Sequence, residues 1–161
     1  MPQYIPLSKK NKATANLETI QSLSMFADQV SCQITLAESI SCVEDLPVAI
    51  VEDTNGSRIL SVILGFLNKN ALIDENGHWI GKYIPALIRA YPFILAKNPK
   101  NEDQKILCYN SESKCLTGTK NTNTVSLFDA NGEPTNKLKS ILHFLKQLDN
   151  NLEKTKKAIR T

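Results

Sequence analysis

Leu138, Ile141, Leu142, Leu145, Leu148 and Leu152 recur at three- and four-residue intervals, the spacing of one face of an α-helix. They predict a long amphipathic helix that opens at Pro134 or Thr135 and turns His143 and Lys146 to the opposite face. A shorter stripe, Leu36, Ile40 and Val43, predicts a short helix that buries these three and points Glu38 away from them. Leu46-Pro47 ends it, because the residue before a proline is pushed out of the α region. A further short helix is expected from about Pro85, with Ile84, Leu87, Ile88 and Tyr91 inward and Arg89 toward solvent. Pro92 stops it.

Between these helices the pattern is that of short strands. Val48 to Glu52 is apolar and β-branched, and Ile59 to Phe66 is apolar enough to be buried on both faces. Ala71 to Asp74 and His78-Trp79-Ile80 flank an Asn-Gly turn, a strong hairpin signal. Phe93 to Ala96 and Lys105 to Tyr109 form a second pair around Asn98-Pro99-Lys100-Asn101. Residues 17–30 commit to neither period. The expected fold is therefore α+β: a mostly antiparallel sheet of short strands and hairpins, two short helices, and a long C-terminal amphipathic helix packed on it. One domain is expected over 1–161. It comprises an extended arm at 1–12, a mobile Ser/Thr/Asn/Lys-rich loop at 110–124 and a frayed basic tail at 153–161.

Composition sharpens this in two places. With 161 residues, 42% of them hydrophobic and 22% charged, the chain has the profile of a globular domain and needs neither metal nor disulfide to fold. The net charge of +3 hides an uneven distribution. Residues 1–12 carry three lysines and no acid, and residues 137–161 carry six lysines and one arginine against Asp149 and Glu153. The middle holds nine basic and fourteen acidic residues. Basic ends raise the alternative of a tail that binds nucleic acid or an anionic surface. Nucleic acid is disfavoured, because no aromatic residue follows Phe144 to stack on bases. No apolar run is long enough to span a bilayer. Without a signal peptide a cytoplasmic location is expected, with the cell surface as the alternative.

The chemistry-bearing residues do not assemble into a known catalytic frame. Cys32, Cys42, Cys108 and Cys115 match no common zinc spacing, and no glycine-rich phosphate loop is present, so neither metal nor cofactor is expected. Asp-x-Asn-Gly occurs at Asp53, Asp74 and Asp129. In calcium-loop register the first ligand would be Val51, Leu72 or Leu127 and the last Val62, Tyr83 or Leu138, none a carboxylate. The motif is read instead as a turn that Asp starts and Asn-Gly completes. Tyr, Trp and Arg are the residue types that anchor binding surfaces, and they are densest from His78 to Phe93. Trp79, Tyr83, Arg89, Tyr91 and His78 are the candidate binding residues, and filling the core is the competing role for the aromatics.

The same segment carries a resemblance. Asn70-x-Leu72, Asn76-Gly77-x-Trp79, Tyr83-Ile84-Pro85 and Arg89-x-Tyr91-Pro92-Phe93 resemble the signature of the SapC family. Pro6-Leu7, Phe26-Ala27, Glu38, Leu46-Pro47-Val48 and Gly65 agree in order. So do Leu127-Phe128-Asp129-x-x-Gly132-Glu133-Pro134-Thr135 and Phe144-Leu145, and the resemblance covers roughly residues 5–155. It implies a bacterial protein of the group named from surface-layer (S-layer) gene clusters, often encoded near halogenase-like, cupin-like and outer-membrane receptor genes. No catalytic residues carry over. The role implied is a non-enzymatic accessory or binding protein with a protein partner, such as a surface-layer or secretion component. An enzyme or enzyme partner acting on a peptide or amino-acid substrate is the alternative. Ser31-Cys32-Gln33-Ile34 lacks the proline expected there, and members commonly continue beyond Glu153-Lys154-Thr155, which makes this chain a trimmed member by expectation.

Overall fold

The computed structural model describes residues 3–10 and 15–159. Residues 1, 2, 11 and 12 of the expected arm and 160–161 of the expected tail lie outside them. The chain divides into two compact units, one of residues 1–20 and 90–147, the other of 21–89 and 148–161.

The first unit contains β1 (Tyr4–Pro6), β2 (Asn16–Glu18), β8 (Phe93–Asn98), β9 (Asn101–Asn110), β10 (Leu116–Thr117) and β11 (Thr124–Ser126). They form two antiparallel three-stranded sheets, ordered β1-β9-β8 and β10-β2-β11. The Phe93/Tyr109 hairpin read from the sequence is β8–β9, with a register shift after Lys97. Residues 110–124, read as a loop, contain β10, which pairs Leu116 with Leu17. Phe93, Cys108, Tyr109, Leu116, Leu127, Leu138 and Leu145 are buried in this unit.

The second unit contains β3 (Ser31–Gln33), β4 (Val48–Glu52) and β5 (Arg58–Ile63) in the order β3-β5-β4, plus the two-stranded hairpin of β6 (Gly65–Phe66) and β7 (Lys69–Asn70). It also holds a 3-10 turn at Ser24–Phe26, α1 (Leu36–Cys42) and most of α2 (Ala86–Ala90). Cys32, Ile34, Cys42, Leu46, Leu60, Val62, Leu64 and Ile88 form its core, with Trp79, Tyr83, Ile84 and Leu87 packed against it. The long helix α3 (Asn136–Ala158) supplies residues to both units. Leu138, Leu145 and Leu148 of its predicted stripe are buried, and His143 and Lys146 are exposed. The helix does not end after Leu152. Thr155 is buried, and its Oγ1 accepts a hydrogen bond from the Leu36 amide at 2.9 Å, which fixes the last turns.

The observed fold is α+β and antiparallel, as the hydrophobic pattern predicts, but several small sheets replace a single one. Two elements differ from their predicted form. The α1 stripe points outward: Ile40 is 80% exposed, Leu36 and Val43 are exposed too, and Glu38 is buried. Periodicity groups residues on a face without saying where that face points, and here hydrogen bonds to Glu38 decide. The apolar run Ile59 to Phe66 is not one doubly buried strand. It breaks at Leu64 and ends with Phe66 in solvent.

The three Asp-x-Asn-Gly segments are one turn repeated. Oδ1 of Asp53 accepts the amides of Asn55 and Ser57, Asp74 those of Asn76 and His78, and Asp129 those of Asn131 and Glu133, all at 2.7–2.9 Å. Gly56, Gly77 and Gly132 each take φ between 74° and 83°, a conformation glycine adopts without a Cβ penalty. These carboxylates serve their own backbone, as the turn reading requires.

Candidate functional site

Glu38 organises the second unit. Its Oε2 accepts the Thr35 amide at 3.0 Å and the Thr35 hydroxyl at 2.9 Å, so it reaches back to the start of its own helix in the manner of a capping box. Its Oε1 accepts the Ala86 amide at 2.7 Å and the Tyr83 hydroxyl at 3.1 Å. One buried carboxylate thus serves the first turns of both α1 and α2. Its four acceptor positions are filled, which assigns it to holding the fold. Arg89 donates from Nη2 to the Tyr83 hydroxyl at 2.9 Å and from Nε to the Ile84 carbonyl at 2.9 Å, with its guanidinium 5.3 Å from the Tyr83 ring centre. Burial, then the nearby Glu38 carboxylate, raises the Tyr83 phenol above 10.0, with Arg89 opposing. Burial likewise raises Cys32 to about 12 and Cys42 to about 11, with Glu38 the next contribution in each.

Of the five candidate binding residues, Tyr83 and Arg89 belong to this knot, with Arg89 exposed. Trp79 is half-buried against the core, and its Nε1 is buried without a hydrogen-bond partner, as is Oδ1 of Asp45. Both flank Gly81, where a Cβ would lie 2.9 Å from Trp79 Nε1 and 3.0 Å from Asp45 Oδ2. His78 is exposed, with Nδ1 3.3 Å from Asp74 Oδ2. Tyr91 falls in the other unit. Within the second unit, His78 and Arg89 are exposed, and Trp79 and Tyr83 are part-buried against the core.

A different feature is open to solvent. A groove of about 810 Å³ runs between Ser24 and Ala27, the hairpin residues Phe66, Leu67 and Lys69, and the segment Ala71 to Glu75. Its hairpin wall is tightly built. A Cβ on Gly65 would come within 1.9 Å of the Lys69 carbonyl oxygen, so the strands close only over a glycine. Asn70, buried, donates from Nδ2 to the Phe26 carbonyl at 3.2 Å and accepts the Leu72 amide at 2.9 Å, clipping the hairpin to the 3-10 turn. The opposite wall is the Asp74 turn, held by the bridge of Ile73 to Trp79. Trp79, paired with Ile73 in that bridge, packs against the core. The His78 amide, followed by the Asn76 amide and the His78 ring, holds the Asp74 carboxyl below 3.8 against the opposing effect of burial.

The hairpin tip breaks two local rules together. Phe66 is 74% exposed and Leu67 is 89% exposed. Leu67 and Asn68 have φ of 49° and 57°. Positive φ at both loop residues suits a two-residue hairpin, and Asn tolerates it. For leucine it costs about 1 kcal/mol. Leu67 recovers none of that by burial. The sequence pattern misses this site because the turn carries no glycine and Phe66 reads as the end of a buried strand.

An antiparallel α+β chain built around a buried glutamate, with an open groove on one unit, is the class of protein this geometry defines. A family model described as SapC matches residues 7–161. The chain belongs to the SapC family. No curated protein and no solved structure matches it. Among the described residues no helix is long and apolar enough to cross a membrane.

Proposed function

We propose that this SapC-family chain is a non-enzymatic binding protein whose recognition surface is the groove beside the Phe66–Leu67 tip. The observation that supports this is the exposed leucine in a left-handed conformation. It is 89% exposed, takes a φ of 49°, and lines a groove whose hairpin wall is tightly built. Contiguous exposed apolar surface rimmed by polar residues marks interaction sites, and Phe66, Leu67 and Ile73 line a single groove here. The candidate residues His78 and Trp79 act here through the Asp74 wall. Arg89, held by Tyr83 and the Ile84 carbonyl, is a preorganised cation for a second contact. The likeness to surface-layer gene-cluster proteins supports a partner in that system, with the chain as accessory rather than catalyst.

The test is affinity purification from the native host with parent and Leu67→Asn proteins in parallel, each tagged. The parent is expected to recover a defined partner, a surface-layer or secretion component, that Leu67→Asn loses while remaining folded. Identical recovery by both proteins contradicts the assignment of the groove.

A further inference from the structure

Resting on that reading of the groove, we propose that its occupant is a short extended peptide segment of another protein, pairing a large apolar side chain with an adjacent lysine or arginine. The apolar half of the match comes from Phe66, Leu67 and Ile73 along one groove. The basic half comes from charge complementarity. Asp74 and Glu75 stand on the same groove against Lys69 alone. Residues 21–89 hold eight acidic residues against four basic ones, and residues 148–159 of the same unit add two acidic and three basic ones. The Asp74 carboxyl is ionised at neutral pH, since its turn amides favour the charged form.

Size and charge also separate the possible occupants. A groove of about 810 Å³ lies in the range of about 300–1,000 Å³ that takes a few residues of ligand. A second copy or a globular face needs about 800 Å² from each partner, more than two exposed tip residues supply. An anionic lipid surface would meet Asp74 and Glu75 with like charge.

The test uses fluorescence anisotropy with three labelled peptides in a Gly/Ser background. The first carries two leucines flanked by lysines, the second the same leucines flanked by glutamates, and the third serines between lysines. The leucine–lysine peptide is expected to bind about tenfold tighter than either of the others, and to weaken with added salt. Leu67→Asn is expected to weaken it about tenfold. The double variant Asp74→Asn, Glu75→Gln is expected to weaken it and to flatten its salt dependence. Asn at position 74 keeps an oxygen for the turn amides, and circular dichroism checks the fold of each variant.

No binding of the leucine–lysine peptide at millimolar concentration overturns the proposal. If the leucine–glutamate peptide binds equally well and Leu67→Asn abolishes both, the basic class is wrong and the groove reading stands. If Leu67→Asn binds like the parent, the groove reading falls as well. Flotation with phosphatidylglycerol vesicles, or a dimer in sedimentation equilibrium that Leu67→Asn disperses, overturns the peptide in favour of a membrane or a second copy.

Discussion

The Glu38 carboxylate is buried and accepts four hydrogen bonds, whereas Phe66 and Leu67, wholly apolar, stand in solvent. Both regions lie in the unit of residues 21–89 and 148–161. At Glu38 a group that belongs in water is drawn inside because every acceptor position finds a donor. At the hairpin tip, groups that belong inside are held out by a stiff turn. The first arrangement is explained by folding alone. The second has no folding explanation, since Leu67 combines backbone strain with exposure. That contrast separates the polar cluster that builds this unit from the exposed apolar pair that we propose as its recognition surface.

The largest expected effect breaks the first member of the pair. Glu38→Ala strands the Thr35 and Ala86 amides and the Tyr83 hydroxyl, and should destabilise the protein by about 3 kcal/mol in urea unfolding. Glu38→Gln keeps one carbonyl acceptor and should lose less. A loss below about 1 kcal/mol for Glu38→Ala would place Glu38 among ordinary surface carboxylates.

An intermediate effect comes from the thiols beside Glu38. Cys32 and Cys42 have folded-state values raised from 9.0 to about 12 and about 11, so the folded state resists losing their protons. Their contribution is fully present below the unfolded value and is lost as pH rises through the folded ones. Urea midpoints should hold up to about pH 9 and then fall, and less so in Cys32→Ala. A midpoint that falls no less in Cys32→Ala would contradict this burial.

How much of this could be read from the sequence follows the same division. The α3 stripe was legible because six leucines and isoleucines at helical spacing have one plausible use. The Asp-x-Asn-Gly turns were legible because their hydrogen bonds close within four residues. Glu38 was not, since its Ala86 and Tyr83 partners lie 48 and 45 residues away and reverse the face that α1 buries. The groove was not legible. Asn70-x-Leu72 stood out only as part of the family resemblance, and Trp79 as a candidate binding residue, and neither points to a groove. Leu67 gave no signal, because a leucine in a glycine-free turn looks like the continuation of a strand.

The smallest expected effect on stability is the most informative, because its sign opposes that on binding. Leu67→Asn should stabilise the protein by about 0.5–1 kcal/mol, since Asn accepts positive φ and carries no exposed apolar surface. The direct test measures urea stability and leucine–lysine peptide affinity on the same Leu67→Asn preparation. Stability is expected to rise while affinity falls about tenfold. A loss of stability, or an affinity unchanged from the parent, would contradict the claim that this tip is kept for a partner.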